Sequence, residues 1–155
     1  MTVSPATKDQ APRITELLRY ICELHAKGRP DVFVSGEPKY DEEGVCRLID
    51  EKDTHVITAV EDGRVIGYMI AKVKDGETGP HMRGMRTLYI DDICTAPEAA
   101  RRGVGTALFE EAKRIGRDNG CVRIDLNVWE FNKAAIKFYE KMGMKVSRMH
   151  MECGL

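Results

Sequence analysis

Ile93-Cys94-Thr95-Ala96-Pro97, followed three residues on by Arg101-Arg102-Gly103-Val104-Gly105-Thr106, is the stretch whose reading decides the fold. It reads as a strand, a short loop and the start of a helix to about Asn119, with Val104, Leu108, Ala112 and Ile115 on one face. Such a helix start presents unpaired backbone N–H groups and the positive end of the helix dipole. Glycine lets a ligand approach the main chain because no Cβ stands in the way. Together these features suit a phosphate-bearing ligand. Two common phosphate motifs are excluded. A dinucleotide fingerprint needs glycine where Leu108 stands, and a P-loop needs Lys-Ser/Thr where Thr106-Ala107 follow Gly105.

The chain has 155 residues, 43% hydrophobic and 32% charged, with a formal net charge of -1. That length and apolar fraction fit one globular domain over residues 1–155. The balanced charge argues against a nucleic-acid partner, and no apolar run is long enough to span a bilayer. Met1-Thr2-Val3-Ser4-Pro5 lacks the charged and apolar regions of a signal peptide. Cys22, Cys46, Cys94, Cys121 and Cys153 are odd in number and widely spaced, without the paired spacing of a metal site. The expectation is buried thiols in a reducing cytoplasm and no metal.

The remaining elements follow from periodicity and turn chemistry. Thr2–Pro5 reads as a strand, and a helix from about Lys8 or Gln10 to Ala26 buries Ile14, Leu17, Leu18, Ile21 and Cys22. A loop over Arg29–Asp41 leads to a helix over Glu42–Lys52. His55–Glu61 and Arg64–Val73 are strands joined by Asp62-Gly63, a two-residue hairpin signal. Lys74–Arg86 reads as an exposed loop, Thr87–Thr95 and Val122–Val128 as strands, and Asn132 caps a helix ended by Gly143. Lys145–Glu152 reads as a closing strand. This order gives an α+β layered domain on one mixed sheet.

Ile93-x-Thr95-x-Pro97, Arg101-Arg102-Gly103-Val104-Gly105, and Asn127 with Asn132-x-x-Ala135-x-x-Phe138-Tyr139-Glu140-Lys141-Met142-Gly143-Met144 together resemble the GNAT (Gcn5-related) N-acetyltransferase superfamily. The resemblance is concentrated in residues 87–144, and the order of elements agrees over the whole chain. One departure is Ala100, where members often carry glutamine or arginine. The resemblance implies a GNAT fold: three layers, α/β/α, around a central mixed, mostly antiparallel sheet splayed at the cofactor site. It implies acetyl-CoA as cosubstrate and direct transfer of the acetyl group to a primary amine, of a small molecule or alternatively of a protein or peptide. A non-catalytic CoA-binding sensor is the reading from another class. Members often dimerise, so a homodimer is an open expectation.

On the same resemblance, the amides of Arg102, Gly103, Val104, Gly105 and Thr106 hold the pyrophosphate, with charge added by Arg101 and Arg102. The main chain at Ile93, Cys94 and Thr95 pairs with the pantetheine arm, and an amide near Ile93 or Cys94 polarises the thioester carbonyl. Tyr139 protonates the departing thiolate; Ala135 shares its helical face, and Asn132 both caps the helix and touches the CoA arm. Cys94 is not expected to be a nucleophile, because it points away from the face of Ile93 and Thr95 and no histidine is near it in sequence.

A base must take the amine proton. Asp92 is favoured, with Asp91 and a water chain as alternatives. Strand alternation puts Leu88, Ile90 and Asp92 on one face and Tyr89, Asp91 and Ile93 on the other, unless a bulge intervenes. The segment Tyr89-Ile90-Asp91-Asp92-Ile93 is similar to the acidic strand of polyamine-acetylating members. The acceptor site is expected among His25, Arg29, Asp31, Phe33, Tyr40, the Lys74–Arg86 loop, Trp129 and Glu130.

Overall fold

The computed structural model describes residues 1–155. The strands are β1 (Thr2–Pro5), β2 (Thr54–Glu61), β3 (Arg64–Asp75), β4 (Arg86–Thr95) and β5 (Arg123–Leu126). The helices are α1 (Ala11–Gly28), α2 (Glu42–Asp50), α3 (Val104–Asp118) and α4 (Lys133–Lys141). The strands form one sheet in the order β1-β2-β3-β4-β5. Neighbours are antiparallel from β1 to β4, and β4 and β5 are parallel.

Local chemistry accounts for the boundaries. Asp62 and Gly63 both take positive φ, 49° and 76°, as the tight turn between β2 and β3 requires. The Asp41 carboxylate accepts the Gly44 amide at 2.7 Å and starts α2. A short 3-10 turn, Lys8–Gln10, precedes α1, so Pro12 falls in the first turn of α1, where its missing N–H costs nothing.

The helices cover both faces of the sheet. On one face α1 buries Ile14, Leu17 and Leu18, and α2 buries Val45 and Leu48. On the other, α3 buries Val104, Leu108, Phe109, Ala112 and Ile115. Each of the larger side chains contributes about 1.5–3 kcal/mol by leaving water. Gly67 on β3 permits the approach of α3, since a Cβ there would stand 2.7 Å from Val104 Cγ1.

Two features position the site. β4 pairs with β5 only over Thr87–Ile90 against Arg123–Leu126, so Asp91–Thr95 has no neighbour on that side. The splay follows, and β5 ends earlier than the Val122–Val128 read from sequence. A β-bulge also falls at Asp91, because Ile70 lies opposite Asp92 and Ala71 opposite Ile90.

The closing strand at Lys145–Glu152 is not formed. After the Met144 amide bonds to Tyr139 O at 3.0 Å, the tail makes no backbone hydrogen bond, and residues 145–155 are all exposed. The physical reason lies at the end of α4. Gly143, with φ 90°, closes the helix in a C-cap turn, and the chain beyond it does not reach the open edge of β5.

Candidate active site

The glycine loop leaves a run of main-chain amides open. Arg101 and Gly103 both have positive φ, 62° and 85°, which turns successive amides toward one side. Gly103 carries no capping side chain. The amides of Gly103, Val104, Gly105 and Thr106 have no backbone acceptor, and the first bond into the helix runs from Ala107 N to Gly103 O at 3.0 Å. A buried or ordered helix start normally finds partners for such donors, so this one fits a phosphate group. Of the two arginines, Arg102 is tied to Glu61, and Arg101 makes no ion pair.

Beside the loop lies the gap between β4 and β5. Tyr89 Oη accepts from Asn127 Nδ2 at 3.1 Å near the point where the strands part. α4 sits against the gap. Asn132 caps it by accepting the Ala135 amide at 3.1 Å, and Phe138 packs edge-on against Phe109 of α3. Ile93, Asn132, Ala135 and Tyr139 all line one cavity of about 510 Å³. This cavity continues between α1, the 29–41 loop and β4, where Cys22, His25, Phe33 and Lys39 form its wall.

The bulge corrects the strand alternation read from sequence. An extra residue at Asp91 reverses the parity, so Asp92 leaves the face of Leu88 and Ile90. Both carboxylates then face the α1–α2 side, where Tyr40 Oη donates to Asp91 at 2.8 Å and Tyr68 Oη donates to Asp92 at 2.7 Å. Their electrostatics differ. Burial alone would raise Asp91, but hydrogen bonds from Lys39 and Tyr40 outweigh it and hold the carboxyl below its ordinary value. The Lys39 ammonium is 2.9 Å from Asp91 Oδ1. Asp92 has only Tyr68 as donor, and burial lifts it to about 6. Asp92 is therefore the carboxylate poised to exchange a proton near neutral pH, while Asp91 is a fixed anion.

Tyr139 keeps its proton. Burial, with Asp92 and Cys94 nearby, lifts its phenol to about 12. Burial and then Asp92 also push the Cys94 thiol up to about 12, so no thiolate nucleophile forms there.

Other expected residues divide. His25, Phe33 and Trp129 line the cavity, with Phe33 against His25 at 5.1 Å and edge-on to Trp129 at 5.3 Å. Burial, then Lys39, lowers the His25 pKa. Arg29 is instead paired with Asp31 and Glu152 and lies over Trp129. Glu130 is tied to Lys133, and the Lys74–Arg86 loop does not line the cavity. Lys39 and Tyr68 escaped sequence reasoning. Lys39 sits in a polar loop, and Tyr68 reads as one more apolar strand residue.

An open sheet split at a parallel pair, with an uncapped helix start beside the split, is a fold whose open amides fit a phosphate-bearing ligand. The chain belongs to the Acetyltransferase (GNAT) family, whose model matches residues 18–144. It is 30% identical over 60 residues to thialysine N-epsilon-acetyltransferase of Sus scrofa, covering 39% of this chain and 35% of that protein. It is 27% identical over 103 residues to glucosamine 6-phosphate N-acetyltransferase of Trypanosoma brucei brucei, covering 66% and 65%. The chain thus spans about a third of the length of the thialysine relative it matches. Among solved structures, the BH1408 protein from Bacillus halodurans superposes with a TM-score of 0.96 at 26% identity, covering 100% of this chain and 99% of that one. The aminoglycoside N-acetyltransferase AAC(6')-Iy, solved in complex with CoA, shares the fold with a TM-score of 0.68 at 14% identity, covering 99% and 98%. No helix is long and apolar enough to cross a membrane, and no group of three or more His, Cys, Asp or Glu side chains is arranged to hold a metal ion.

Proposed function

We propose that residues 1–155 form one N-acetyltransferase domain that transfers an acetyl group from acetyl-CoA directly to a primary amine of a small molecule. The observation that carries this is the run of unpartnered amides from Gly103 to Thr106, opening beside the β4–β5 gap that Tyr139 and Asp92 flank. Those amides and the free Arg101 side chain bind the pyrophosphate, whereas the Arg102 amide, expected among the donors, is turned to Ala99 O at 3.4 Å. The unpaired main chain at Ile93, Cys94 and Thr95 holds the pantetheine arm, and Asn132 and Ala135 bound its far side. Acetyl-CoA supplies the acetyl group as a thioester.

The acceptor enters from the α1–α2 side, where Phe33 and Trp129 give apolar walls. Asp92 takes the proton from the arriving ammonium, leaving a neutral amine that can attack. A main-chain amide near Ile93 or Cys94 steadies the charge on the carbonyl oxygen. Tyr139 donates its phenolic proton to the leaving thiolate, and the second proton that the acylated nitrogen sheds restores the phenol. Its raised pKa keeps that proton in place until the thiolate forms. The cavity of about 510 Å³ has to receive the acetyl end of the pantetheine arm as well as the acceptor, and the space left between Phe33 and Trp129 suits a small amine.

The test is a thiol-release assay with acetyl-CoA against polyamines, aminoglycosides, amino acids and lysine peptides, with CoA titration calorimetry on the same sample. Turnover with one amine class is the expected result. Turnover with peptides alone would favour the peptide reading, and CoA binding without any turnover would favour a sensor. Absence of CoA binding would overturn the assignment.

A further inference from the structure

The charges that line the cavity are not all available to an acceptor. The charged side chains in its wall are Glu37, Lys39, Asp91 and Asp92. Asp91 is compensated on both oxygens. Lys39 Nζ stands 2.9 Å from its Oδ1 and donates to its main-chain oxygen at 3.3 Å, and Tyr40 Oη donates to its Oδ2 at 2.8 Å. Asp92 has only the neutral Tyr68 hydroxyl, at 2.7 Å. Glu37 is exposed on the 29–41 loop, where water screens it. Burial, then the charge of Lys39, holds His25 toward its neutral form. Inside the cavity one carboxylate, Asp92, therefore lacks a cation.

Away from Asp92 the wall is apolar. Phe33 and Trp129 meet edge-on at 5.3 Å. Val32, Val34 and Val128 line the cavity while 50%, 72% and 39% exposed, which puts them at its mouth. Exposed apolar side chains gathered at a pocket with a polar floor mark a ligand surface. The Arg29 guanidinium already lies over the Trp129 ring, 5.2 Å from its centre, so the aromatic wall holds a cation of its own. A second ammonium carried along this wall would lose water without gaining an anion.

We propose that the acceptor is a primary monoamine with an apolar or aromatic body, and that Lys39, by occupying Asp91, holds the acceptor to a single positive charge. The inference rests on the acetyl-transfer reading of the same site. The acceptor ammonium meets Asp92 and leaves one proton there. Its nitrogen forms the C–N bond as the thioester C–S bond breaks, and CoA departs as the thiol with the proton from Tyr139. The body of the amine lies along Phe33, Trp129 and the valines. Lys39 touches no reacting atom and acts on specificity alone. Without it Asp91 would stand as Asp92 does, with one tyrosine donor, and a second ammonium of the acceptor would take the place of the lysine.

n-Hexylamine and cadaverine are the probes, because they differ only in a terminal methyl against a terminal ammonium, with phenethylamine for the aromatic wall. Thiol release at about pH 8, where carboxylates of ordinary or moderately raised pKa are ionised, gives kcat/KM. Calorimetric titration of each amine into the CoA-saturated protein reads the same preference without turnover. The parent is expected to favour n-hexylamine and phenethylamine over cadaverine by about tenfold or more. Lys39→Met is expected to raise cadaverine about tenfold relative to n-hexylamine, whereas Lys39→Arg keeps the parent's order. Phe33→Ala should lower kcat/KM for phenethylamine about tenfold and leave the CoA dissociation constant unchanged. A parent that prefers cadaverine, a ratio that Lys39→Met does not move, or turnover of other amines but none of the three probes would overturn the proposal and leave acetyl transfer standing. Failure to turn over any amine, or to bind CoA, would remove the transfer reading and the proposal with it.

Discussion

Asp92→Asn removes the group proposed as the base, and it should also make the protein more stable. Burial holds the Asp92 carboxyl at about 6 against an ordinary value of 3.8, with only Tyr68 donating to it. The shift is about two units, and at ~1.4 kcal/mol per unit the ionised form costs the fold about 3 kcal/mol. A raised carboxyl pKa means that the folded state binds more protons than the unfolded chain between those two values. Its contribution to stability is present in full below about pH 3.8 and lost as pH rises through about 6. Asparagine has the same shape and no charge, and its Oδ1 can still accept from Tyr68. The difference in stability between Asp92→Asn and the parent should therefore be small at about pH 4 and open to about 3 kcal/mol by about pH 8. For a chain of this size that is roughly 6–12 °C in Tm. Thermal unfolding of both proteins at the two pH values reads the difference directly, and all other titrating groups cancel in the comparison. A difference that stays flat with pH would mean that Asp92 is solvated, and would refute the reasoning. A variant both more stable and inactive would mark Asp92 as a residue kept at a cost to the fold.

Other changes separate the roles of neighbouring groups. Tyr68→Phe removes the one donor to Asp92 and should move the acid limb of the kcat/KM profile up by about 1–2 pH units, the worth of a hydrogen bond to a charged group; an unmoved limb would detach Tyr68 from the base. Tyr139→Phe should lower kcat while leaving the CoA dissociation constant from calorimetry unchanged, and equal rates would remove the phenol from the mechanism. Thr106→Glu places a carboxylate among the open amides at an exposed position. The carboxylate suits the helix dipole, so Tm should hold while CoA affinity falls at least tenfold in the same titration. Thr106 is the better site for this than Gly105, where a Cβ would stand 3.3 Å from Phe138.

The sequence was legible where local chemistry is self-sufficient. Gly103 and Gly105 announce an uncapped helix start because only glycine suits that backbone and that approach. Asp62-Gly63 announces a hairpin because both residues tolerate positive φ. Asn132, Ala135 and Tyr139 fall toward one cavity because helical spacing alone puts them there. The acid pair was not legible. Strand alternation separated Asp91 from Asp92, and a single extra residue against β3 brought them to one face. A bulge leaves no mark in the sequence, because it exists only in the pairing of two strands. Lys39 and Tyr68, which make one carboxylate a fixed anion and the other a titratable group, come from a distant loop and a neighbouring strand. The tail shows the same limit from the other side. Its alternating pattern reads as a strand, yet the chain beyond Met144 makes no backbone hydrogen bond to the open edge of β5. The sequence by itself determined the glycine-marked helix start, the elements from β1 to α4 and the phenol on its helix, since these follow from backbone preference and periodicity within one segment. Only the tertiary structure decided which carboxylate titrates, which arginine is free and that the tail stays out of the sheet, since these depend on burial and partners contributed by segments far apart in the chain.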